Sequence, residues 1–366
     1  MAARRQFLQS TALFLGGLAM GCANSKGSVE RWQMPDEAAP HKRTWMAFGA
    51  SERIWGRRLL PEVRRNLVTI AQAIAQYEPV SMLVRADEYD LAQDLLGSSS
   101  VELVVSPLDD LWIRDTGPLF VFSQQGQIAG IDFNFNGWGK KQAFQQDAAV
   151  AAFVAQQAGV DVITTDLVLE GGCIELDGRG TALITESCVL NDNRNPGVSK
   201  AQFEDRLMPL LGLEKIVWLP GIKGQDITDG HTDFYVRFAR PGVVLAGYEP
   251  DPSFVDHGVT KQHLEILKEA TDAQGQSFEV IVLEAPSQIR DTYETSDFAA
   301  GYVGFYVCNG AVILQEFGDD RTDRAAQQSI QRAFPERELV VINIDAIAAG
   351  GGSIHCATQQ EPVSLT

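Results

Sequence analysis

The sequence contains no pair of cysteines at Cys-x-x-Cys spacing, although five cysteines are present: Cys22, Cys173, Cys188, Cys308 and Cys356. A zinc site built from clustered thiolates and a dithiol redox motif both normally show that spacing. The sequence therefore predicts no metal site. It leaves the cysteines to be explained as small core residues or as reactive thiols.

Positive charge is also scarce, since 30 Lys and Arg residues stand against 48 Asp and Glu residues, for a net charge of −18. Binding to a nucleic-acid backbone requires clustered basic side chains, so nucleic-acid partners are excluded. The acidic balance suits a small cationic substrate, although it also serves solubility alone. Apolar residues make up 45% of the 366 residues, enough for a sizeable core.

No segment beyond residue 25 is long and apolar enough to cross a membrane. At the N-terminus, Arg4 and Arg5 precede a short apolar run over residues 11–20, a pattern typical of a twin-arginine export signal. We predict that residues 1–25 are this signal and that residues 30–366 form one catalytic domain. The expected location is the periplasm or the cell envelope.

Cys22 lies where a lipoprotein signal would be cleaved and lipidated. The position three residues before it is normally Leu and is Ala19 here, so ordinary cleavage without a lipid remains an alternative. A membrane tether is expected only through this cysteine. Because the twin-arginine route carries proteins that have already folded, we expect free thiols rather than disulfide bonds.

One pattern recurs four times along the chain. Two apolar stretches flank a turn that contains glycine, which predicts a β-hairpin, at residues 118–133, 173–187, 234–248 and 304–317. A helical pattern follows each hairpin, at residues 142–159, 199–211, 260–273 and 323–334. A buried strand follows each helix, at residues 160–164, 215–219, 278–283 and 339–344. The predicted unit is strand–strand–helix–strand, repeated as in propeller-like arrays.

A fifth unit is divided between the two ends of the chain. Residues 44–48, 80–84 and 101–105 read as strands and residues 61–75 as a helix, with residues 353–358 as the missing strand. Pairing of the two ends would close a ring and remove exposed edges. We predict an α/β fold of the five-bladed propeller type around a central channel. A linear α/β chain with unrelated hairpins is the alternative.

Polar residues are concentrated in the loops that connect one unit to the next. If the units are radial, these loops meet at one end of the axis and bring together Asp115, Glu170, His231, Asp233 and Cys356. A thiol attacks electrophilic carbon, and an imidazole transfers the protons. Two carboxylates suit the planar fork of a guanidinium cation. Glycine at Gly352 allows close approach of a ligand.

These residues predict a deiminase that forms a covalent intermediate on Cys356. His231 is the predicted acid–base group, Asp115 and Asp233 bind the cation, and Glu170 supports His231. His355 is a poorer base, because neighbours on a strand point to opposite faces and Cys356 faces the site. Cys173 and Cys308 are predicted to be core residues.

The sequence resembles the agmatine deiminase family, within the guanidine-modifying (pentein) superfamily of five-bladed α/β propellers. The matching motifs lie at residues 34–41 (MPDEAAPH), 112–118 (WIRDTGP), 135–139 (FNGWG), 170–172 (EGG), 193–196 (NRNP), 229–233 (DGHTD), 317–319 (FGD) and 350–360 (GGGSIHCATQQ). The resemblance implies the same roles for Cys356, His231 and the three carboxylates, and a substrate channel lined by Trp112. It also implies conversion of agmatine to N-carbamoylputrescine and ammonia, with no cofactor.

Two departures from the family pattern bear on the substrate. A glutamate that helps to hold the distal amine is replaced by Ile227, and an asparagine is replaced by Asp229, which is the candidate to compensate. The export signal is the second departure, since polyamine synthesis is usually cytoplasmic. Deimination of peptidyl-arginine or free arginine is therefore the alternative activity.

Two other classes of protein are alternatives to the deiminase. A cysteine protease or transglutaminase would need an oxyanion hole and one orienting carboxylate, which fits this acidic set poorly. A non-catalytic guanidine- or polyamine-binding protein would have no use for Cys356 and His231. Self-association into a homo-oligomer is also compatible with the sequence.

Overall fold

The strands of the protein form five separate sheets, in a computed structural model that describes residues 31–293 and 295–364. The strands are β1 Trp32–Gln33, β2 His41–Phe48, β3 Val80–Val84, β4 Glu102–Val105, β5 Leu119–Ser123, β6 Ile128–Asp132, β7 Asp161–Thr164, β8 Ile174–Leu176, β9 Thr181–Thr185, β10 Lys215–Leu219, β11 Val236–Arg240, β12 Val243–Tyr248, β13 Glu279–Glu284, β14 Tyr306–Cys308, β15 Ala311–Gln315, β16 Glu338–Ile342 and β17 Gln359–Pro362. The predicted export signal and Cys22 lie outside the described residues.

Helices alternate with these strands, so the fold is mixed α/β. They are α1 Glu52–Ile74, α2 Tyr89–Leu96, α3 Ile113–Thr116, α4 Gly137–Lys140, α5 Val150–Ala158, α6 Glu186–Val189, α7 Lys200–Leu211, α8 Thr232–Tyr235, α9 Asp256–Glu269, α10 Asp320–Ala333 and α11 Asp345–Ala348. Short 3-10 helices occur at Ala86–Glu88, Asp147–Ala149, Gly171–Cys173, Asp291–Tyr293 and His355–Ala357. No helix in the described part of the chain is both long and apolar enough to cross a membrane.

All four predicted hairpins are confirmed as antiparallel pairs: β5–β6, β8–β9, β11–β12 and β14–β15. In each unit the third strand then pairs in parallel with the second strand of the hairpin. Positive φ angles at the turns explain the glycines; φ is +80° at Gly242 and +79° at Gly310. Side chains resist that conformation, so glycine sets the position of each turn.

The two ends of the chain do pair, but not through the predicted residues. Strand β17 lies antiparallel to β2, with Gln359 opposite Trp45 and Glu361 opposite Arg43. The prediction of a strand over residues 353–358 is wrong. That segment instead turns through a 3-10 helix, in which the amide of Ala357 donates to the carbonyl of Ile354 at 3.1 Å. The sheet order is β17–β2–β3–β4.

Several helix boundaries differ from prediction, with and without a capping side chain. Helix α1 begins at Glu52 rather than at residue 61, and it contains a non-helical residue, Gly56, with φ of +64°. The predicted capping box of α7 is confirmed, since the Ser199 side chain and the Gln202 backbone and side chain are reciprocally bonded. Helix α10 begins at residue 320 because the Asp319 side chain accepts from two backbone amides.

Candidate active site

One pocket of about 440 Å³ opens where loops from several sheets meet. Six of the residues predicted for the site line it: Trp112, Asp115, His231, Asp233, Gly352 and Cys356. Glu170 lies behind the wall, in contact with His231. Residues far apart in the sequence are thus assembled around one cavity.

Cys356 lies in the 3-10 helix His355–Ala357, immediately after the glycine-rich turn. Its sulfur is 3.3 Å from the hydroxyl of Ser353 and 3.9 Å from Oδ2 of Asp233. Burial, together with the negative charges of Asp233 and Asp115, raises the pKa of the thiol to about 12. At neutral pH the thiol is therefore protonated, and a bound cation would favour the thiolate.

His231 is surrounded by carboxylates. Its Nε2 lies 3.1 Å from Glu170, and its Nδ1 lies 3.7 Å from Asp115 and 4.0 Å from Asp233. Burial alone would lower the pKa of the imidazole, but Asp115, Cys188 and Glu170 outweigh it and raise the pKa well above its usual range. The ring is therefore an imidazolium at neutral pH and can act as an acid.

Glu170 is completely buried and is held by two cationic partners. Arg194 donates from Nε to Oε1 at 3.0 Å and from Nη2 to Oε2 at 3.3 Å. Burial would raise the pKa of Glu170, but its bonds to His231 and Arg194 lower the pKa to about 2. The carboxylate therefore stays ionised and fixes the position of the His231 ring. Sequence reasoning assigned no role to Arg194.

The pKa values of the two carboxylates predicted to bind the cation are shifted in opposite directions. Asp115 accepts from the Gly172 amide at 3.1 Å and from Trp138 Nε1 at 2.9 Å, and burial raises its pKa. Burial would also raise the pKa of Asp233, but a 2.7 Å bond from His355 lowers it. One pocket therefore offers two oxygen-rich groups with different proton affinities.

The structure does not bring Asp229 to the pocket, which corrects its assignment as a substrate-binding residue. Its carboxylate is bonded to Arg194 at 2.6 Å, Lys141 at 2.8 Å and Asn193 at 3.0 Å. These bonds lower its pKa against the effect of burial. Asp229 thus holds Arg194, and it does not compensate for Ile227, which lines the pocket.

A second buried chain of charges supports the site from the other side. His355 bridges Asp233 and Glu37, at 2.7 Å to each. Glu37 in turn binds Arg237 at 2.7 Å and Arg114 at 3.2 Å. The strand argument against His355 was wrong, since the residue is in a 3-10 helix, yet it does not line the pocket. Glu37 was visible only as part of a family motif.

The pocket is also lined by residues that sequence reasoning did not select. Trp55 packs against Trp112, with ring centroids 5.7 Å apart, and donates to Asp110 at 2.7 Å. Asp226 and Asp297 also line the pocket. Aromatic and apolar walls with acidic groups near the entrance suit an extended cationic ligand.

His231 and three buried neighbours form a cluster of groups of the kinds that bind metal ions. The ligand atoms of Glu170, Cys173, Cys188 and His231 all lie within 4.8 Å of one another. The two sulfurs are only 2.8 Å apart, and both cysteines are free thiols. Thiolates bound to one zinc ion at 2.3 Å would lie nearly 1 Å further apart, at about 3.8 Å, so the geometry fits a metal poorly.

At two positions in the site, a neighbouring side chain lies so close to the backbone that only glycine fits. A Cβ atom at Gly172 would lie 2.4 Å from Nδ1 of His231, and one at Gly352 would lie 2.2 Å from the Trp112 ring. Such distances are below van der Waals contact. The glycines therefore set how closely the pocket walls can approach.

Replacing Gly172 with alanine should displace His231 and reduce kcat/KM by at least about 100-fold, because small displacements of reacting groups have large effects on rate. The matched control is Gly258→Ala in α9, where an added Cβ meets no atom within 4 Å. Steady-state kinetics and thermal unfolding of both variants check the prediction. Unchanged kinetics in Gly172→Ala would show that the close approach of residue 172 to the His231 ring is not required for turnover.

The mixed α/β fold, with a thiol, an imidazolium and two carboxylates in one pocket, defines a thiol-dependent enzyme. A family model described as Porphyromonas-type peptidyl-arginine deiminase matches residues 33–362. The chain therefore belongs to the family that contains the Porphyromonas-type peptidyl-arginine deiminases and the agmatine deiminases.

Individual relatives match along almost the whole chain. A provisionally named agmatine deiminase of Streptomyces avermitilis is 40% identical over 92% of this chain and 99% of its own. The agmatine deiminase of Pseudomonas aeruginosa is 35% identical over 94% and 99%. The solved agmatine deiminase of Enterococcus faecalis superposes with a TM-score of 0.84 at 31% identity, covering 90% and 96%.

Proposed function

We propose that this protein hydrolyses the guanidinium group of agmatine to N-carbamoylputrescine and ammonia. The observation that carries the proposal is the pocket in which Cys356, His231, Asp115 and Asp233 face one cavity. Relatives named agmatine deiminase, at 35% identity over nearly the whole chain, support the choice of substrate.

In the first half of the reaction, Asp115 and Asp233 bind the guanidinium N–H groups and place its central carbon at the sulfur. The cation offsets the two charges that raise the pKa of Cys356, so the thiol loses its proton to solvent. The sulfur then bonds to the carbon. The C–N bond breaks as the imidazolium of His231 gives its proton to the leaving ammonia.

In the second half, His231 is neutral and removes a proton from water. The resulting hydroxide attacks the thiouronium carbon. As the C–S bond breaks, the added hydroxyl gives its proton to the departing sulfur, so the ureido product leaves, Cys356 is again a thiol, and His231 keeps the proton taken from water. Glu170 keeps the His231 ring in one orientation through both steps, at 3.1 Å from Nε2.

We infer that the five sheets are the blades of a closed five-bladed propeller. The repeated antiparallel–parallel strand order and the β17–β2 pairing of the two ends support this arrangement. The position of the pocket also supports it, because loops from separate units supply its walls. Export through residues 1–25, lipidation of Cys22 and self-association stay predictions.

Deimination of arginine, free or in a peptide, is the second candidate. Ile227 in the pocket wall favours it, because an apolar side chain cannot pair with the distal ammonium of agmatine. The family model of peptidyl-arginine deiminases is consistent with this alternative.

The test is to incubate the protein with agmatine, free arginine and an arginyl peptide, and to measure ammonia and ureido product. We expect agmatine to give the highest kcat/KM, by at least tenfold, because the acidic side chains that line the pocket repel the carboxylate of free arginine, and a cavity of about 440 Å³ favours a small ligand over a peptide. A preference for either arginine substrate would replace agmatine deimination by the second candidate. If none of the three substrates is turned over, guanidine hydrolysis is refuted.

A further inference from the structure

We propose that Cys173 and Cys188 are an oxidation site, in which the two thiols join as a disulfide directly beneath the acid–base histidine. Their sulfurs lie 2.8 Å apart, closer than unbonded sulfurs usually approach, and both side chains are fully buried. The proposal does not depend on the identity of the substrate.

The backbone holds the two thiols together. Cys173 ends a 3-10 helix just before β8, and Cys188 lies in α6 just after β9. Strands β8 and β9 are antiparallel, with Ile174 opposite Ile184, so the residues before β8 and after β9 must be neighbours. Forming the bond requires the sulfurs to approach by less than 1 Å, to about 2.05 Å.

A shared metal ion fits this cluster less well than a disulfide. Metal binding would require the sulfurs to separate, whereas a disulfide requires them to approach. The guanidinium of Arg194 also occupies both oxygens of Glu170, at 3.0 and 3.3 Å. A divalent cation at Glu170 would therefore lie next to a fixed positive charge.

The surroundings give the two thiols different roles. Burial raises the pKa of Cys188, but bonds from Cys173 and His231 lower it overall. Burial, together with Cys188, raises the pKa of Cys173. Cys188 is therefore the thiol that reacts first with an oxidant, and Cys173 is the thiol that completes the bond.

We take hydrogen peroxide as the oxidant, because it is small and uncharged and both thiols are buried. The Cys188 sulfur attacks one oxygen, the O–O bond breaks, and a sulfenic acid and one water form. The Cys173 sulfur then attacks the Cys188 sulfur, so that the S–S bond forms and the S–O bond breaks. The Cys173 proton leaves with the hydroxyl as a second water. Two thiols lose two electrons, and one peroxide gains them.

The bond would change the polar contacts of Glu170. In the reduced protein, the sulfurs of Cys173 and Cys188 lie 3.1 and 3.6 Å from Oε2 of Glu170, so an S–H group of this pair can donate to that oxygen. A disulfide has no S–H group, so Oε2 would keep only His231 and Arg194 as donors. Oxidation therefore acts on the carboxylate that orients the acid–base histidine.

The experiment uses the full chain with Cys356→Ala, which removes the thiol of the pocket. After treatment with peroxide, peptide mapping should find Cys173 joined to Cys188, with the loss of two hydrogen atoms in the intact mass. The midpoint of thermal unfolding should rise by roughly 5 °C, because the bond constrains a short loop, and dithiothreitol should reverse the rise.

Matched variants separate this pair from other thiols. Cys308 is a buried cysteine in β14, outside the pair, so the Cys308→Ala variant should still form the Cys173–Cys188 disulfide. The Cys188→Ala and Cys173→Ser variants should not form it. Peptide mapping of the Cys356→Ala protein tests the proposal even if the Cys173 and Cys188 variants fail to fold. Three results would overturn the proposal. Cys173 and Cys188 could remain free thiols after complete reaction with peroxide, either residue could be oxidised to a sulfonic acid without cross-linking, or the two thiols could become reactive only after a chelator is added.

Discussion

Replacing Cys356 with alanine is expected to reduce turnover by at least about 10⁴-fold, since loss of a catalytic nucleophile has effects of this size or larger. The covalent step requires a sulfur at the carbon held by Asp115 and Asp233, and among the described cysteines it is Cys356 that lines the pocket. Ammonia release from agmatine under saturating conditions measures the loss.

Binding must be measured with the same variant, because a guanidine-binding protein would keep its affinity and have no turnover to lose. We expect Cys356→Ala to bind agmatine within about tenfold of the parent by calorimetry, since both carboxylates remain. Ser353→Ala is the matched control. The Ser353 hydroxyl contacts the sulfur at 3.3 Å, so this variant changes the same part of the pocket but keeps the nucleophile. Turnover by Cys356→Ala within tenfold of the parent would exclude Cys356 as nucleophile.

The strands could be predicted because local rules determine them. Each hairpin contains a glycine turn between two apolar runs, and β3 and β10 have the predicted bounds of residues 80–84 and 215–219. The error at residues 353–358 has the opposite origin. There the backbone turns through a 3-10 helix that places Cys356 in the pocket, and tertiary contacts override the strand pattern.

The pocket could be predicted in outline because equivalent loops of repeated units meet at one end. What the sequence could not give was the buried network behind it. Arg194 is shared between Glu170 and Asp229, at 3.0 and 2.6 Å, and this sharing removes Asp229 from the pocket. Single residues carry no sign of such partners, because the pairing depends on positions more than 20 residues apart.

The Asp115→Asn variant should separate thiol reactivity from turnover. The charges of Asp233 and Asp115 help to raise the pKa of Cys356 to about 12, so removing one of them should lower that pKa. Below its pKa, the thiolate fraction increases about tenfold per pH unit. Alkylation of Cys356 by neutral iodoacetamide at pH 8 should therefore become several-fold faster in the variant, while kcat/KM for agmatine should fall by at least about 10³-fold because cation binding is lost.

The opposite signs of these two effects make the result specific to the electrostatic argument. A variant that was merely misfolded would lose turnover too, but its unfolding midpoint would fall sharply and its buried thiols would react together with Cys356. Asp90→Asn, an exposed residue of α2, changes net charge equally and should alter neither rate. Slower alkylation of Cys356 in Asp115→Asn would mean that Asp115 does not oppose the thiolate. The substrate's positive charge would then not be the factor that activates the sulfur.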